Sequence, residues 1–349
     1  MNSELKKIRD FLSDYDDEEI TLMEICGSHT AAITKSGIRN ILSPKIRLIS
    51  GPGCPVCVTP SAYIDKLIQM ALEENVCVVT FGDMLRVPGS EKSLSRAKGE
   101  GADVKMVYSP IDIIKLAEER PDKQFVFAAV GFETTTPLYA DLIDELIEKN
   151  INNVRLLTSL KTMPAAVDKL CEDNDRIDGF IAPGHVCSIT GSKVFEPLAE
   201  KYSIPFGVGG FTAEELLVAI YGTVKMKGQG KVSNYYTRAV TEDGNLTAKK
   251  LVDKYFTSCD ASWRGMGNIS GSGLILKDEY SRFDAGSREL TEDKKLNSRC
   301  LCGEILMGRK MPVNCPLFGK ACTPLTPQGA CMVSEEGSCR HAYSVRGHA

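Results

Sequence analysis

The sequence predicts an α/β protein, with parallel sheets covered by helices and a cysteine-rich tail. Three observations carry this. Short apolar runs recur through the first two thirds of the chain, each ending near Gly, Cys or Pro. Helix-start signals and apolar stripes lie between them. Thirteen cysteines are placed unevenly, with six in the last fifty residues. Strand–helix alternation with short connections is the pattern of a parallel sheet with helices on its faces.

ITLMEI (20–25), IRLIS (46–50) and VCVVTF (76–81) read as strands, because unbroken apolar runs suit strands buried on both faces. Between the second and third, Ile64, Leu67, Ile68, Ala71 and Leu72 fall on one stripe and predict a helix within 61–75. FVFAAV (125–130), VRLLTS (154–159), GFIAP (179–183) and IPFGVG (204–209) continue the strand series. Thr136 is placed to cap a helix that starts at Pro137, and Pro164 opens another. A faint repeat runs through these elements. CGSHT (26–30) resembles GFETT (131–135), GPGCPVC (51–57) resembles APGHVCS (182–188), and FGD (81–83) resembles FGV (206–208), in the same order. It divides the chain into two similar α/β units, 1–120 and 121–225. Residues 223–235 read as a linker, 246–256 as a helix, and NISGSG (268–273) as a Gly/Ser loop. The third region, 236–349, is helical and loop-rich. Its tail has little periodicity and many turns, which suits a segment held by a metal centre.

The chain has 349 residues and can bury a large core. Its formal charge of −4 gives no electrostatic reason to expect nucleic acid or an anionic membrane as partner. The polar, acidic N-terminus does not read as a secretory signal, and no apolar run is long enough to span a bilayer. A cytoplasmic location is expected, and there thiols serve as ligands or redox groups more than as staples.

Cys302, Cys315, Cys322 and Cys339 are separated by twelve, six and sixteen residues, with Pro312, Pro316, Pro324 and Pro327 stiffening the turns. Four such thiolates suit an iron–sulfur cluster. Structural zinc usually brings pairs at Cys-x2-4-Cys spacing, which the tail lacks, although zinc and unligated thiols remain open at this point. Cys54-Pro55-Val56-Cys57 is a Cys-x-x-Cys pair in a turn ahead of a helix. It suits a redox dithiol or two metal ligands, and a helix N-terminus lowers a nearby thiol pKa. Cys26 and His29 follow a strand, where loops line a ligand crevice, and suit a nucleophile–base pair or two soft ligands. Glu133 and His185 also follow strands. Glu133 suits a general acid, a general base or a helix cap. Gly207, Gly209 and Gly210 lack the rest of a phosphate loop and imply no nucleotide.

CGSHT (26–30), GPGCPVCVTP (51–60), GFETTTP (131–137), PGHVC (183–187), CPLFGKACTP (315–324) and MVSEEGSC (332–339) together resemble the HypD family of hydrogenase maturation factors, over almost the whole chain. The resemblance implies two related α/β domains facing a cleft and a third region holding a [4Fe–4S] cluster. It implies a redox-active scaffold, not a conventional turnover enzyme, that builds the Fe(CN)2CO unit of [NiFe]-hydrogenases. A HypC-type small chaperone would help hold the iron, and a HypE-type protein would deliver cyanide. Residue by residue, it implies that Cys26 is the iron-site cysteine and that Cys54 and Cys57 are the redox pair, with His29 beside them. It implies Cys302, Cys315, Cys322 and Cys339 as cluster ligands, with Cys300 and Cys331 as competing tail thiols. His29, Glu133 and His185 would handle protons or hold diatomic ligands. Cys187 stands where the resemblance leads one to expect Ser. Two other readings fit the same residues: an iron–sulfur-dependent thiol–disulfide reductase, and a zinc-stapled interaction protein.

Overall fold

A computed structural model describes residues 3–173, 176–290 and 297–346. Its strands are β1 (Ile20–Glu24), β2 (Ile46–Ser50), β3 (Val76–Thr80), β4 (Val104–Met106), β5 (Gln124–Gly131) and β6 (Val154–Lys161). They continue with β7 (Gly179–Pro183), β8 (Phe206–Gly209), β9 (Val232–Asn234), β10 (Phe256–Trp263) and β11 (Gly267–Leu276). One sheet has the order β2-β1-β7-β8-β9 and is parallel throughout. The other has the order β10-β11-β6-β5-β3-β4. It is parallel from β6 to β4 and antiparallel at β10 and β11. This is the α/β class that the apolar runs imply. β5 is buried from its second residue onward, as an unbroken run requires in a sheet covered on both faces.

The strands of each sheet come from both sides of residue 120. β1 and β2 join β7–β9, whereas β3–β6 join β10 and β11. The strand order also fixes where ligands can enter. In the first sheet the order reverses between β1 and β7, and in the second between β3 and β5. Loops after strands at such switch points diverge and leave a crevice. These are the loops of Cys26, His185, Asp83 and Glu133.

Three local expectations are corrected. NISGSG is not a loop: it lies in β11, paired with β10 across a register shift between Cys259 and Ala261. Its small residues make room for neighbours. A Cβ on Gly273 would lie 2.8 Å from the Ala261 Cβ, and Ser272 accepts a hydrogen bond from the Trp263 indole at 2.8 Å. The linker at 223–235 is shorter, because a helix runs through Ala213–Lys225 and Val232–Asn234 pairs with β8. Thr136 lies inside the helix Thr136–Glu148, its hydroxyl donating to the Phe132 carbonyl at 3.0 Å, and Thr135 stands at the cap position.

The tail is part of the core. Ile305, Leu306, Leu317, Phe318 and Met332 pack in one apolar cluster with Met23, Ile25 and Ile49 of the first sheet region. Among the described residues no helix is long and apolar enough to cross a membrane.

Candidate thiol and metal site

Cys26 ends the first strand region and caps the helix Gly27–Lys35 in extended conformation. The N–H groups of Ser28 and His29 at the start of that helix lower its thiol, although its sulfur makes no cap hydrogen bond. Burial nevertheless pushes the thiol up to about 12, with the nearby Glu336 carboxylate adding to the rise. Without a metal, Cys26 is therefore protonated at neutral pH. The Cys-x-x-Cys loop rests directly on it. The Gly27 N–H donates to the Gly53 carbonyl at 3.0 Å, and a Cβ on Gly53 would lie 2.3 Å from the Cys26 nitrogen and 2.4 Å from its Cα. Only glycine allows that approach.

Cys54 caps the one-turn helix Pro55–Val58, accepting the Cys57 N–H at 3.2 Å. The helix position does not make Cys54 the acidic thiol. Burial and its bond with Cys57 raise it. For Cys57, burial is outweighed by hydrogen bonds with Cys331 and Cys54 and by the positive Arg264, so it falls well below the usual thiol range. The pair thus shares one proton, with the negative charge on Cys57. Arg264 is itself buried and fixed, donating to the carbonyls of Thr59 (2.6 Å) and Pro88 (2.9 Å).

Beyond Cys57 the sulfur chain continues into the tail. The Cys331 sulfur is 3.0 Å from that of Cys302 and lies close enough to Cys57 and Cys339 to shift their shared titration. The bond from Cys331 pulls the Cys302 thiol down. Cys300, Cys302, Cys315, Cys322, Cys331 and Cys339 surround one small space with Ile305, Phe318, Gly329 and Met332. Gly329 leaves a cradle there, since a Cβ on it would lie 3.0 Å from the Cys300 sulfur. The Gln328 N–H donates to the Cys322 sulfur at 3.4 Å. Among the described residues no three His, Cys, Asp or Glu side chains converge tightly enough for a single metal ion.

The other expected residues follow β1, β5 and β7. The His29 Nε2–H donates to the Gly209 carbonyl at 3.2 Å, which leaves the buried Nδ1 as an acceptor with no partner. Burial lowers His29 to about 4, so the ring is neutral. His29 and His185 lie against the same ring, Phe211, with centroids at 4.8 and 3.8 Å. Glu133 accepts the Met163 N–H at 2.7 Å, while its other oxygen is buried without a partner. Burial pushes this carboxyl up to about 7. Cys187 lies within electrostatic reach of both Glu133 and Cys26.

Four contributors were not singled out as site residues by sequence. Glu336 accepts the Ser28 hydroxyl at 2.8 Å, and its Cβ would meet any side chain at Gly27. Ser334 donates to Asp83 at 3.2 Å and joins the tail to the loop after β3. Arg264 is the fourth. The sequence signals were acidic residues in FGD and SEEG and a lone Arg beside the only Trp.

A family profile labelled HypD, described as "Hydrogenase formation hypA family", matches residues 1–346. The chain is 43% identical over 333 residues to a hydrogenase expression/formation protein of Methanocaldococcus jannaschii, covering 94% of this chain and 93% of that protein. It is 43% identical over 332 residues to the hydrogenase maturation factor HypD2 of Bradyrhizobium diazoefficiens, covering 91% and 87%. It is 41% identical over 335 residues to the hydrogenase maturation factor HypD of Azotobacter vinelandii, covering 93% and 88%.

Proposed function

Since the chain belongs to the HypD family of hydrogenase maturation factors, we propose that it is a redox-active scaffold on which the Fe(CN)2CO unit of [NiFe]-hydrogenase is assembled. One observation carries this reading. Cys26, the Cys54/Cys57 pair and the tail thiols form one connected site, through Gly53 on one side and Cys331 on the other.

The iron is cargo. Cys26 and a thiol of a HypC-type chaperone hold it, and a HypE-type protein delivers cyanide. Low-spin iron with such ligands suits thiolate donors. Cys26 must lose its proton to bind, and two buried acceptors in the cleft have no partner: His29 Nδ1 and Glu133 Oε2. Glu133 is suited to take that proton, while the neutral His29 offers an acceptor, and His185 lies against the same Phe211 ring as His29.

With one proton between them, Cys54 and Cys57 release two electrons and that proton on closing to a disulfide. The contacts give a route back. The Cys331 thiol passes its proton to Cys54 as its sulfur attacks Cys57; a mixed disulfide forms and Cys54 leaves as a thiol. Cys302 then attacks Cys331, closing a Cys302–Cys331 disulfide and freeing Cys57. The electron pair has moved from the tail to the front pair. Cys302 is suited to this because its thiol is already lowered.

That role removes Cys302 from the expected cluster ligands. Cys300, Cys315, Cys322 and Cys339 are the remaining four thiols around the tail space, and Cys300 lies within charge range of Cys315 and Cys322. The all-sulfur donor set, the Gly329 cradle and the N–H donor to Cys322 fit a [4Fe–4S] cluster. The space between them is now about 10 Å³, so the four sulfurs would have to stand further apart to seat it. When bound, the cluster supplies single electrons.

The test is Cys26→Ala, purified anaerobically with a HypC-type partner. It should lose the infrared bands of bound cyanide and CO. Bands of undiminished intensity would remove Cys26 from the iron site.

A further inference from the structure

A buried cation lies outside the thiol cleft. Lys161 ends β6 and is only 2% exposed. Its ammonium donates to the Ser262 carbonyl at 2.8 Å and the Ser159 hydroxyl at 3.3 Å, and lies 5.6 Å from the centre of the Trp263 ring. Among the described residues no carboxylate comes within ion-pair distance of it. A buried charge without a counter-charge is unfavourable, and here burial drives the lysine down to about 7.

Lys161 is also part of the wall of a cavity of about 330 Å³ between β6, the β10–β11 hairpin and the turn Ser287–Glu289. Leu274, Ile275 and Leu290 supply an apolar wall, and Cys259 is a half-buried thiol on it. Asp260, Asn268 and Arg288 line it and are exposed, so solvent reaches the space. Asp260 does not neutralise the lysine: one of its oxygens is held by the Ser270 hydroxyl and the Gly271 N–H. Arg288 adds a second cation, although it also pairs with Asp278 at 2.6 Å.

We propose that this cavity binds a small organic oxyanion, a carboxylate or a phosphate ester, with its charged end on Lys161 and its apolar remainder against Leu274 and Leu290. Charge-assisted hydrogen bonds in a partly desolvated pocket are the strong ones, and a few convergent polar groups in an apolar pocket are the usual form of a small-molecule site. Trp263 joins this cavity to the loop after β5, since its ring also stacks on Phe132, with centroids 5.8 Å apart.

Cys259 provides the readout in the full chain. Inorganic phosphate and butyrate are titrated separately, with potassium chloride at matched ionic strength, while iodoacetamide alkylation is followed residue by residue by mass spectrometry. The expected result is saturable protection of Cys259 by about fivefold or more at millimolar anion, with no effect on Cys171, a half-buried thiol on the helix Met163–Asp173. The protecting anion identifies the class of ligand. Lys161→Gln should abolish the protection, and Arg288→Gln, a surface change, should weaken it severalfold. No protection of the wild-type chain by either anion overturns the proposal, as does equal protection by chloride. Equal protection in a folded Lys161→Gln variant overturns it too.

Discussion

Cys300 and Cys302 stand two positions apart and have different neighbours. Cys302 meets Cys331 at 3.0 Å, whereas the Cys300 sulfur is the nearer to Gly329, 3.0 Å from a Cβ there against 3.9 Å for the Cys302 sulfur. With the cluster held as proposed, Cys300→Ser should lose its iron by elemental analysis. Cys302→Ser should keep it but fail to return a Cys54–Cys57 disulfide to the dithiol, as followed by thiol trapping. The opposite pattern would restore Cys302 to the ligand set. Spacing alone showed a tail rich in ligands, but not which of two near-identical positions pairs with a third. Glu133 is a second case. It was legible as a candidate acid from its place after a strand, but its burial was not. Its pKa is raised in the folded state, so protonation favours folding. That contribution is complete below about 4.5 and is lost as the pH rises through about 7, a difference on the order of 3 kcal/mol. Glu133→Gln keeps an acceptor for the Met163 N–H. It should be more stable than the parent at pH 8, by about 1–3 kcal/mol, with the gap closing toward pH 5.5 in thermal unfolding of the reduced chain.

The strands of the parallel sheets were readable because each is wrapped on both faces and so carries little else but apolar residues. β11 was not readable. Gly and Ser are turn signals in isolation, and only the Trp263 ring and the β10 backbone show why small residues are needed in a strand there. The loop over 51–57 shows the same dependence on a distant neighbour. GPG reads as a turn, yet Gly53 is fixed by its contact with the Cys26 backbone. Gly53→Ala should destabilise the chain by about 3 kcal/mol or more, since the clash is with backbone and not with a movable side chain. It should also separate Cys26 from the Cys54/Cys57 pair, seen as faster alkylation of Cys26. Unchanged stability and reactivity would mean that the loop has room to shift.

For the whole molecule, the sequence shows alternation of strand and helix but not which strands share a sheet. Parallel strands pair across long connections, and every buried run looks alike to its possible partners. The chain in fact passes from the first sheet to the second, returns, and crosses again. β1 thereby lies between β2 and β7, with the Thr21 N–H donating to Asp178, 157 positions away. On the ribosome, the strand that leads to Cys26 must wait for more than half the polypeptide before it has neighbours on both sides. Cys331 and Glu336 emerge later still. The nascent protein is therefore a string of unconnected thiols, and the front and tail cysteines can meet only after translation is nearly finished.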